Sequence, residues 1–86
     1  NIEKEDLDIV ARDIYKDGNE YYVQVSSWKT KKYAISEVEK YSKMKYNAFI
    51  FNTFVKEKKS VYHRVRIGPF KSFLTAKNIR EKINKY

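Results

Sequence analysis

Chemistry in this chain must come from a narrow set of side chains. The sequence has one histidine, His63, and no cysteine, so the usual zinc ligand sets cannot be assembled and thiolate chemistry is unavailable. No glycine-rich phosphate loop is present. The acids Glu3, Glu5, Asp6 and Asp8 crowd the start of the chain, where solvated charge is a better reading than acid–base work. His63 falls in the inward phase of a strand, so a packed histidine is expected rather than a catalytic one. These features argue against an enzyme, and no cofactor or metal is expected. What remains is a recognition chemistry. In residues 61–70, Tyr62, Arg64 and Arg66 alternate with Val61, His63, Val65 and Ile67. A strand sends alternate side chains to opposite faces, so one face here is apolar and the other is aromatic and cationic.

Four further segments must position that strand. Residues 21–27 read as a strand, with Tyr21, Val23 and Val25 on one face and Tyr22, Gln24 and Ser26 on the other. Residues 31–44 read as a helix, with Thr30 as N-cap, a stripe of Ala34, Val38 and Tyr41, and Ile35 alongside. Residues 47–54 are a strand in which Ala48 and Ile50 oppose Phe49, Phe51 and Thr53. Residues 55–60 form a charged hairpin loop. Residues 73–84 are a second helix, capped by Ser72, with Ala76, Ile79 and Ile83 inward. The ladder of the central strand is expected to stop at Gly68-Pro69, because Pro69 has no backbone donor and restricts the residue before it.

The chain has 86 residues and a net charge of +8, enough for one small domain. Residues 1–20 hold seven acids and three bases, and residues 21–86 hold sixteen bases and four acids. The two parts therefore balance at −4 and +12. A basic domain favours anionic partners such as nucleic acid, a membrane surface or an anionic polysaccharide. No run of apolar residues is long enough to cross a membrane, so no membrane insertion is expected.

The motifs carry a resemblance. Val23-Gln24-Val25-Ser26-Ser27-Trp28, a helix opening near Ala34, and Arg64-Val65-Arg66-Ile67-Gly68-Pro69-Phe70 followed by a second helix resemble the SPOR (sporulation-related repeat) domain family over about residues 21–85. The resemblance implies an α+β fold: a βαββα(β), RNP/ferredoxin-like antiparallel sheet with two helices on one face. It divides the chain into an N-terminal extension, 1–20, and a SPOR-like domain, 21–86. The family's last strand, beside its first, has no counterpart after the second helix. Residues 9–15, with Asp17-Gly18 as a hairpin turn, are expected to fill that edge. The alternative is a short helix carrying Leu7, Val10, Ala11 and Ile14. Ser26 stands where the family has glycine, which bears on the bend of the first strand.

The resemblance also implies a function. SPOR domains bind bacterial septal peptidoglycan, specifically glycan strands stripped of stem peptides, as non-catalytic targeting modules. It thus implies cell division, the cell envelope (periplasm) and a monomeric module of a larger protein. Carried over by motif, Gln24, Ser27, Tyr62 and Arg64 correspond to glycan-binding positions. Physical chemistry adds Tyr22, Phe49, Phe51 and Arg66 as candidates. Aromatic rings suit the apolar faces of pyranoses, Gln24 suits an acetamido group, and Arg64 or Arg66 can grip the lactyl carboxylate exposed when the peptide is removed. Each has a blander reading: Phe49 and Phe51 as packing, Arg66 as a solvated strand residue, Ser27 as a strand-end bend. Trp28 is expected to cover the core edge. The rival readings are an RRM-like module for single-stranded nucleic acid, which lacks its RNP1 pattern here, and a protein-interaction domain. Nucleic acid is therefore not the expected partner.

Overall fold

The computed structural model describes residues 9–84. Leu7 and the acids Glu3, Glu5, Asp6 and Asp8 lie outside the described residues. The elements in chain order are β1 (Ile9–Ala11), β2 (Ile14–Asp17), β3 (Glu20–Trp28), α1 (Lys31–Lys43), β4 (Ala48–Val55), β5 (Ser60–Phe70) and α2 (Phe73–Asn84). A short 3-10 turn, Lys56–Lys58, links β4 to β5. All strand pairs are antiparallel, in the order β1-β2-β3-β5-β4. The result is an α+β fold with β5 at the centre of the three long strands.

Alternation along β5 decides the core. Val65 and Ile67 are fully buried and oppose Ile50 and Ala48 on β4. Val23 of β3 lies between Ile67 and Ile14 of β2. The helices cover this face: Ala34 and Ala76, both 0 % exposed, are small enough to bring each helix axis close to the sheet. Tyr41, Ile79 and Ile83 fill the space around them. Burying each of the larger aliphatic groups stabilises the fold by roughly 1.5–3 kcal/mol. Val38 is half-buried and Ile35 exposed, so the α1 stripe is narrower than its sequence suggests.

The N-terminal segment is a hairpin over its described part, not a helix. β2 lies beside β3 on the edge that the resemblance assigns to a final strand. Two details differ from expectation. Asp17 pairs with Glu20, so the turn residues are Gly18-Asn19, with Gly18 at φ +62. A second reversal at Arg12-Asp13 splits 9–15 into two strands. There Asp13, one of the few side chains that tolerates a left-handed conformation, takes φ +62. Its carbonyl accepts from the Gln24 amide at 2.8 Å, tying the reversal to β3.

Three other expectations are corrected. β5 does not end at Gly68-Pro69: it passes through a cis Gly68–Pro69 bond, and Phe70 pairs with Tyr21. A register irregularity opposite Tyr22 leaves Pro69 where no ladder donor is required. Thr30 holds the expected N-cap position of α1, but its side chain makes no cap bond. Ser72 does cap α2, its Oγ accepting from the Thr75 amide at 3.1 Å. Finally, β3 carries a bulge between Gln24 and Ser26, so the strict alternation read along residues 21–27 fails after Gln24.

Candidate binding face

The sheet face away from the helices is built in rows across β3, β5 and β4. In the first row Gln24 opposes Arg66, which opposes Phe49. In the second, Ser27 opposes Arg64, which opposes Phe51. In the third, Tyr62 opposes Thr53. The bulge creates the second row: with Val25 and Ser26 sharing one step of the ladder, Ser27 turns outward beside Arg64 and Trp28 turns inward opposite His63. Alternation alone puts Ser26 on this face; Ser26 instead opposes Val65, and its Oγ accepts from Trp28 Nε1 at 2.9 Å. Trp28 packs its ring on Tyr33 of α1 at 5.4 Å, on the helix side. His63 is half-buried there and bonded to Asn52 Oδ1 at 2.6 Å.

Gly68 sets the aromatic floor. It lies in β5 between Tyr22 of β3 and the start of β4, at φ +144. A Cβ there would come within 2.8 Å of Tyr22 Cδ1 and 2.9 Å of the Tyr21 carbonyl oxygen. The Tyr22 ring uses that space to lean across β5 and meet Phe49 edge-to-face, with centroids 5.5 Å apart. Burial, then the carboxylates of Glu20 and Asp17, raise the Tyr22 hydroxyl above its ordinary value. It therefore stays a protonated donor throughout the neutral range.

Arg66 is not a solvated strand residue. It is 3 % exposed. Its guanidinium carbon lies 3.9 Å from the Tyr15 ring centroid and 4.1 Å from that of Phe51, and its Nε donates to Gln24 Oε1 at 3.2 Å. A guanidinium between two aromatic faces is held by both ring quadrupoles. Phe49 and Phe51 are each half-buried, so their packing on Tyr22 and Arg66 leaves part of each ring at the surface. Arg64, Gln24, Tyr22 and Tyr62 are half-buried, and Ser27 is exposed.

Tyr15 is the residue that sequence reasoning missed. It opposes Tyr22 from β2 and closes one side of the Arg66 stack. A hairpin turning at Gly18-Asn19 implies that pairing; a turn one residue earlier does not.

Among the described residues, no group of three or more His, Cys, Asp or Glu could hold a metal. None of the described helices is long and apolar enough to cross a membrane. The face instead offers hydrogen-bond donors, from Arg64, Gln24, Ser27 and Tyr62, beside partly exposed rings.

The family model of the SPOR domain matches residues 17–86. The chain belongs to the SPOR domain family. No curated protein and no solved structure matches it. Membership makes this SPOR domain a peptidoglycan-binding module. The match begins at the end of β2, so the Asp17–Glu20 turn and all of β3 fall within the matched residues. The family is one of binding domains, and it occurs in cell-envelope proteins of division.

Proposed function

We propose that this SPOR domain binds glycan strands that have lost their stem peptides, through the β3–β5–β4 face, as a monomeric periplasmic module acting at the bacterial division septum. The observation that carries the reading is the row Ser27–Arg64–Phe51, set beside Tyr62 and Gln24. Removing the peptide from N-acetylmuramic acid leaves a lactyl carboxylate. Arg64 pairs with that anion through a two-pronged, charge-assisted contact. Ser27 and Gln24 hydrogen-bond the neighbouring sugar, and the exposed parts of Tyr22, Phe49 and Phe51, with Tyr62, receive its C–H faces. An intact stem peptide turns the same carboxylate into a neutral amide and adds bulk over the row.

The test is co-sedimentation with intact and with amidase-treated sacculi, at low and moderate salt, using the native domain and Arg64→Ala. Retention should rise on amidase treatment and fall only modestly with salt, and the rise on amidase treatment should be lost in Arg64→Ala. Equal retention on both materials would overturn the denuded-glycan reading. Retention abolished by moderate salt would point to charge alone and bring nucleic acid forward as the partner.

A further inference from the structure

Gln24 is chemically ambiguous, since a carboxamide has an acceptor oxygen and an amino group with two donors. Its surroundings remove the ambiguity. Arg66 Nε lies 3.2 Å from the carboxamide. A guanidinium has five donors and no acceptor, so only the oxygen of Gln24 can face it; the reverse orientation would set N–H against N–H. Nor can the guanidinium turn away, because Tyr15 holds one of its faces at 3.9 Å and Phe51 the other at 4.1 Å. With Oε1 fixed toward Arg66, the Nε2 amino group is left to other partners, on a side chain that is only half-buried.

We infer that Arg66 is a positioning residue: clamped by Tyr15 and Phe51, it commits Gln24 to act as a donor, so that this position accepts a carboxylate or acetamido oxygen and rejects a donor group. This rests on the glycan reading and deepens it. Arg64, the nearest cation of the next row, also offers donors only, so the two positions together select ligand acceptors. Arg66 thus leaves the set of direct ligand contacts and acts through Gln24. The clamp spans β2, β5 and β4, so β2 would bear on binding through Tyr15.

Two variants and one spectrum test it. In the free domain, nitrogen-resolved NMR should show an Arg66 Nε–H protected from solvent exchange, with protection lost in Gln24→Met. On titration with peptide-free glycan, the Gln24 amino signals should move more than Arg66 Nε–H. Gln24→Glu keeps an acceptor for Arg66 but has no outward donor. It should melt at or above the native temperature yet bind peptide-free glycan roughly tenfold to a hundredfold more weakly, the expected loss of one hydrogen bond to a charged acceptor. Gln24→Met should weaken binding as much without adding charge. Native-like binding by Gln24→Glu would overturn the inference, as would a rapidly exchanging Arg66 Nε–H. A native domain that binds no glycan would overturn the proposed function, while the Nε–H signal would still decide the orientation.

Discussion

Gly68 is the position where a single methyl group should do most harm. It holds φ +144, which L side chains rarely adopt, and an added Cβ would meet Tyr22 and the Tyr21 carbonyl at under 3 Å. Gly68→Ala should cost about 2–4 kcal/mol from backbone strain and overpacking combined, read as a lower denaturant midpoint. The displaced Tyr22 should also weaken glycan binding. Two tyrosines give a pH signature. Burial first, then Glu20 and Asp17, raise Tyr22 above 10.0; burial first, then Glu37 and Tyr46, raise Tyr41. The folded chain thus keeps protons that the unfolded chain loses, so this stability is full below pH 10.0 and disappears as pH rises through the raised values. Urea midpoints should fall as pH rises past 10.0, less steeply in Tyr22→Phe/Tyr41→Phe. At this scale the sequence was legible where alternation held: Tyr62, Arg64, Phe49 and Phe51 fall on one face as period 2 requires. Ser27 was reached only through the family motif, because a bulge breaks the period one residue before it. Nothing in the local pattern separated Arg64, half-buried in the outer row, from Arg66, enclosed by two rings. That difference depends on Tyr15, 51 positions away in the chain.

At the scale of elements, both helices fall close to where apolar spacing put them, and their caps differ in a way sequence does not reveal. Ser72 bonds the Thr75 amide, whereas Thr30 contributes only its backbone. Ser72→Ala should therefore cost about 1 kcal/mol, and Thr30→Ala within about 0.5 kcal/mol of nothing, a contrast that thermal or chemical denaturation can resolve. Proline read as a strand stop because it lacks a donor, but a register irregularity can absorb that lack, and local sequence does not announce where one falls. The β2–β3 hairpin was legible as a turn and not as a register, and nothing in the local pattern announced the β1–β2 reversal at Arg12-Asp13. Ile14 is 0 % exposed beneath α2, so Ile14→Ala should cost roughly 2–5 kcal/mol. Tyr15→Ala should reduce stability and also weaken glycan binding through the loosened Arg66 clamp.

For the whole molecule, the charge of +8 sits on a domain whose described lysines are mostly exposed, many of them on the helices and loops rather than in the rows of the candidate face. General basicity draws anionic material toward the domain, and salt screens that attraction. The rows around Arg64 would supply what salt does not remove: a cation with neighbouring donors, set on partly exposed rings. This division separates a glycan-reading domain from a merely basic one. It puts the central claim on one interaction, between Arg64 and a free lactyl carboxylate.

The most direct test is calorimetric titration with three forms of one purified glycan oligosaccharide: lactyl carboxylates free, carboxylates converted to simple amides without peptide, and stem peptides intact. The free acid should bind best, the simple amide at least about tenfold more weakly, as expected for loss of a charge-assisted contact, and the peptide-bearing form more weakly still. In Arg64→Ala the free acid and the simple amide should bind alike. Equal affinity of the native domain for the free acid and the simple amide would contradict carboxylate recognition by Arg64 and leave bulk alone as the discriminating feature.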